Sequence, residues 1–302
     1  MTKVHSAIVR KIHPHTIFRA FKYTVYVLIS INLVLFFQED FLASRETFDG
    51  GIAWQQLSEA FSATIDTAAW VVLLLLFELE TAIISDEKLK GSLKWSLMGV
   101  RLVSYSFIVW ALYGYVMKYT LIADTLPFAI DHVCSLIGSG YTWIVDLDQY
   151  REIDQAACQA LQGQALLQVG GTQIIGTVEA AHAARNLTII DIINAADWLL
   201  IVVLLELEVN LQLRNLLSDR LLLASKLVKG ILYSTLLFCA VYWGILGDFL
   251  DFWDAFLWLV AFVFIEMNIF QWHEELAEER GLEMQPEPQQ REVSLGDKSH
   301  AI

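Results

Sequence analysis

The chain has 302 residues, 56% of them hydrophobic and only 18% charged, with a mean hydropathy of +0.50. That composition is too apolar for an ordinary soluble enzyme, and three cysteines are too few for a disulfide scaffold. A net charge of −14 excludes nucleic acid as the main partner, because phosphate binding needs clustered Lys and Arg.

In chain order, residues 1–21 are a basic N-terminus, with Lys3, Arg10, Lys11 and Arg19. A membrane-spanning helix needs about 20 mostly apolar residues, and six segments supply them: residues 22–38, 66–85, 95–118, 194–213, 229–247 and 254–273. All six are expected to be helices, since backbone polar groups in lipid must be satisfied within the segment. The first follows a basic start, as a secretory signal does. It runs on into Gln38-Glu39-Asp40 without a small-residue cleavage site, so it reads as an uncleaved span.

Residues 22–122 therefore carry spans one to three and residues 194–273 spans four to six. Residues 123–193 between them are expected to form an extracytoplasmic cap of two or three helices. Cys134 and Cys158 both lie in that cap and are expected to form a disulfide, while Cys239 lies in the fifth span and reads as inert packing. Gly138-Ser139-Gly140-Tyr141 reads as a turn in the cap rather than a carbonyl-lined filter, and His132 and His182 as surface residues rather than a metal pair. Residues 274–302 are rich in Pro, Gln and charge, the composition of a disordered tail.

Orientation follows from charge. With both termini cytoplasmic, the inner segments hold 16 of the 20 Lys and Arg, whereas 18 of the 34 Asp and Glu fall on the outer side. That is a positive-inside bias, expected of a bacterial inner membrane protein.

The second, fourth and sixth spans align without gaps: DTAAWVVLLLLFELE, NAADWLLIVVLLELE and DAFLWLVAFVFIEMN. Each begins with Asp66, Asn194 or Asp254, continues four residues later to Trp70, Trp198 or Trp258, and reaches Glu78, Glu206 or Glu266 after eight more. Two residues further on stand Glu80, Glu208 and Asn268. Three pseudo-repeated helical hairpins are the simplest architecture. The fold class predicted is thus an all-α polytopic membrane protein of six transmembrane helices with one extracytoplasmic cap.

Ionisable side chains inside a membrane normally face the bundle interior. Glu78, Glu206 and Glu266 share one position in the repeat and are the candidates for a central ion or proton site, with Asn210 extending the polar face below Glu206. Residues two apart on a helix point about 200° away from each other. Glu80, Glu208 and Asn268 then face neighbouring helices, and Arg101, the obvious intramembrane cation, stands at the depth of Glu80 and Glu208. The competing reading makes the same carboxylates structural ion pairs that set packing register.

No phosphate-cradling glycine loop, HExxH, CxxC or nucleophile elbow occurs, so neither an enzyme nor a cofactor is expected. The leading expectation is a protein that passes or senses a cation or proton through intramembrane carboxylates. The alternative is a non-transporting scaffold, assembly or sensor subunit whose cap binds a partner. Lipid is the expected surrounding, and a homo-oligomer or a membrane-complex partner fits either reading.

Overall fold

The computed structural model describes residues 14–48, 51–80, 84, 90–213, 218–246 and 249–262. Residues Met1–Ala261 form one compact unit. Glu266, Asn268 and the tail lie outside the described residues.

Long apolar runs without internal proline give long helices. Helix α1 (Pro14–Thr47) starts at a proline, where the missing N–H costs nothing. A single turn, α2 (Leu57–Ala60), leads into α3 (Ser62–Glu78), and α4 (Ser92–Ala123) follows. Four helices contain stretches long and apolar enough to cross a membrane: Phe18–Thr47, Ser92–Ala123, Val178–Glu208 and Arg220–Leu246. The pair Trp54–Ala60 and Ser62–Glu78 passes the same test together but is bent by 77°, which makes a fifth if it counts as one span.

A close approach accompanies the bend. Gly114 of α4 lies so close beneath α2 that a Cβ there would run into the Ser58 carbonyl, and only glycine permits that approach. Val27, Val34, Leu102, Val103, Leu237 and Phe238 on the outward faces of the helices are each more than half exposed. Apolar faces of that extent call for apolar surroundings.

The segment between α4 and the next long helix corrects the expectation of an all-α chain. It contains one short helix, α5 (Gln155–Leu161), and otherwise folds as a five-stranded sheet. The strands are β1 (Thr125–Phe128), β2 (Thr142–Asp146), β3 (Gln149–Glu152), β4 (Leu166–Val169) and β5 (Ile174–Thr177), in the order β1-β4-β5-β2-β3. β2 and β5 run parallel, and the other neighbours antiparallel. Strands of four or five residues do not stand out in a count of polar and apolar residues. Their mark is period two: Ile174 enters the core shared with the helices, while Ile175 enters the core on the opposite face.

Helix α6 (Val178–Leu213) starts directly after β5 and runs without a break through residue 194, where the fourth span was expected to begin. Helix α7 (Asp219–Leu246) follows, and residues 249–262 form α8. Below the sheet, Ile144, Val169 and Ile174 pack on Ala184 and Leu187 of α6 and on Ala240 and Trp243 of α7. Above it, Val133, Leu136, Ala157, Leu161 and Ile175 form a second small core. Asp154 starts α5 by accepting the Ala157 N–H at 2.7 Å. A disulfide joins Cys134 to Cys158 across that upper core. Gly138 and Gly140 take positive φ within a turn leading into β2.

Candidate functional site: an acidic cavity above a tryptophan triad

The three aligned helices meet in space. Trp70 of α3, Trp198 of α6 and Trp258 of α8 lie in mutual contact, with ring centroids 6.0, 6.3 and 6.5 Å apart. Residues four apart on a helix share a face, so Asp66, Asn194 and Asp254 stand one turn above this triad, toward the sheet. The spacing also makes a local bond: Trp70 Nε1 donates to Asp66 Oδ1 at 3.0 Å. Trp258 is likewise hydrogen-bonded to Asp254, whose Oδ1 also accepts from Asn32 Nδ2 of α1 at 2.8 Å.

Asp66, Asn194 and Asp254 line a cavity of about 60 Å³, together with Trp198 and Trp258 of the triad. Its wall carries seven carboxylates and one ammonium, that of Lys118. The carboxylates come from five elements: besides Asp66 and Asp254 they are Glu39 and Asp40 of α1, Asp148 of the β2–β3 turn, Asp191 of α6 and Asp251 of α8.

Lys118 of α4 is 8% exposed and is held by the sheet, its Nζ donating to both oxygens of Asp148 at 3.0 Å. The same Nζ lies 3.9 Å from Asp40. Asp40, only 2% exposed, turns its other oxygen to the start of α3, accepting from the Thr64 N–H at 2.9 Å and the Thr64 hydroxyl at 2.7 Å. A carboxylate at a helix N-terminus satisfies free N–H groups and opposes the helix dipole. Burial holds the Tyr150 phenol well above its usual range, so it stays protonated and donates to the Leu147 carbonyl at 2.8 Å. That bond braces the turn that carries Asp148.

Two residues of the cavity wall each carry a buried polar atom that lacks a partner among the described residues. Trp243 of α7 is 4% exposed, yet its Nε1–H has no hydrogen-bond acceptor among the described residues, and the buried Oδ1 of Asn194 has no donor.

Glu78 and Glu206, expected at the central site, and Glu80 and Glu208, expected to face neighbouring helices, all have their partners on adjacent helices. Glu78 is buried against α1, where Lys22 Nζ donates at 2.7 and 2.8 Å and the Tyr23 and Tyr26 hydroxyls donate at 3.0 and 3.4 Å. Glu80 pairs with Arg101 of α4. Glu206 accepts from the Tyr105 hydroxyl of α4 at 3.3 Å, and Glu208 pairs with Lys229 of α7 at 2.8 Å and accepts from Ser225. In each Glu-x-Glu, the first carboxylate reaches the preceding long helix and the second the following one.

Rotation explains this. At about 100° per residue, eight residues carry Glu78 some 80° around the helix from Trp70. A helix with its Trp on the common axis therefore turns that Glu toward a neighbour. The Asp-x-x-x-Trp spacing, which keeps a carboxylate and an indole on one face, was the sequence signal for the residues that do converge.

His132 precedes the turn Val133–Leu136, and no group of three His, Cys, Asp or Glu among the described residues is close enough to hold a metal ion. Comparisons with known proteins found no matching family model, no similar curated protein and no similar solved structure.

Proposed function

We propose that this is a six-span membrane protein that takes up a proton or a small cation at the acidic cavity. The sheet and the cavity lie outside and both termini inside, in a bacterial inner membrane. The charge count supports that orientation, since 16 of 20 Lys and Arg fall on the inner side. The observation that carries the function is the cavity itself: seven carboxylates facing one ammonium where three spans converge. An acidic mouth concentrates cations, an effect that added salt weakens. The glutamates nearer the inner end act as pins between neighbouring helices, and the tryptophan triad closes the cavity toward the inner side.

The test is ion flux in proteoliposomes, with a pH dye and with Na⁺, K⁺ or divalent gradients. Asp66→Asn and Asp254→Asn are expected to abolish flux. Flux unchanged in both variants would sink the proposal. A wild-type protein that passes no ion and retains a stoichiometric partner in mild detergent would favour the scaffold reading, with the disulfide-tied sheet as the docking element.

A further inference from the structure

Trp243 Nε1–H is an obligatory donor and Asn194 Oδ1 an acceptor. Both residues line the cavity, and both atoms lack a partner among the described residues. A buried polar group left unmet costs about 1–3 kcal/mol, so the occupant of the cavity has to accept one hydrogen bond and donate another. A bare metal cation has no lone pair for the indole N–H. An anion can accept from the indole, but the surrounding carboxylates repel it. Water does both.

Volume and spacing agree with water. A cavity needs roughly 10–15 Å³ to hold one water molecule, so about 60 Å³ holds several. The carboxylates come from five elements, and no three acidic, His or Cys side chains among the described residues stand close enough to grip a metal directly. Groups spaced in this way are bridged by water.

We infer that the cavity is a hydrated proton site, in which a water cluster anchored on Trp243 and Asn194 links the carboxyl groups of Asp66 and Asp254. This rests on the reading of the cavity as a point of proton or cation uptake and selects the proton. In the relay, a protonated Asp66 releases its O–H proton to a neighbouring water while the cluster passes one of its own protons to the Asp254 carboxylate. One O–H bond breaks and one forms at each transfer, and the number of protons in the cavity is unchanged. Asn194, at the equivalent position of the second repeat, supplies an acceptor that never ionises.

The test combines infrared spectroscopy with flux, using the full chain in lipid. Wild type is expected to show a protonated-carboxyl C=O band that shifts in D₂O and is diminished in Asp66→Asn or Asp254→Asn. In proteoliposomes, proton flux followed by a pH dye is expected to be indifferent to exchange among Na⁺, K⁺ and Ca²⁺. Trp243→Phe keeps the ring and removes the donor, and is expected to slow proton flux about five- to tenfold, the equivalent of one neutral hydrogen bond. Matched thermal unfolding separates that effect from misfolding. Flux of a metal ion without proton flux and without the carboxyl band would overturn the inference and leave cation uptake standing. The band without flux of any ion would overturn uptake and support the hydrated carboxyl site.

Discussion

Glu78 and Lys22 show how an intramembrane carboxylate is kept in place. Their side chains are 5% and 8% exposed, and the pair is fenced by two tyrosine hydroxyls and by the Tyr23 and Tyr26 rings 5.2 and 5.9 Å from the ammonium. Removing one member leaves the other charged and buried, which costs about 3–5 kcal/mol, whereas replacing both with apolar residues is close to neutral. Glu78→Gln is therefore expected to lower thermal stability in detergent sharply, and Lys22→Met combined with Glu78→Met to restore most of it. A single variant as stable as wild type would show that the pair does not hold α1 to α3. The sequence reveals that these carboxylates exist and that they repeat. It does not reveal which neighbour each one meets, because that depends on how each helix is rotated about its own axis.

At the scale of elements, one contact shapes the entry into α3. α2 rests on α4 at Gly114, and Ser58 and Ser62 on either side of the bend are fully buried. Gly114→Ala places a methyl group against a backbone carbonyl, so α2 has to shift. The expected cost is about 1–3 kcal/mol, as for other overpacked cores, and is read as a drop in Tm. Gly99→Ala, where a Cβ meets nothing within 4 Å, serves as the control. An equal effect of the two substitutions would argue against the close approach. The sheet was the element hardest to see in the sequence. β4 (LLQV) and β5 (IIGT) are too short for composition to separate from loop, and their pairing with β1 and β2 is a non-local fact. α5 and its Asp154 cap are by contrast local, and so is the spacing that joins Asp66 to Trp70.

For the molecule as a whole, the sheet end carries the acidic groups and the disulfide, and the proposed orientation puts it outside. Ile137 is 43% exposed, Cys239 is fully buried and the other two cysteines are paired. Ile137→Cys thus offers a single accessible thiol, which a membrane-impermeant maleimide is expected to label from outside intact cells. Labelling only after the membrane is opened would place the sheet inside and reverse the topology. Lys118 ties the two parts together, since its partners are Asp148 of the sheet and Asp40 of α1, and all three residues line the cavity.

The sequence by itself determined the apolar helices, the cysteine pair and the repeated Asx-x-x-x-Trp pattern. Each rests on composition or on spacing within one helix, and hydrophobic length and helical period are local quantities. Only the tertiary structure decided that the tryptophans meet on an axis while the glutamates turn toward neighbours. It also decided that carboxylates from five elements share one cavity and that the inserted segment is a sheet. Those outcomes depend on helix rotation and on strand pairing between distant segments, and the free energy that fixes them appears only when the surfaces come together.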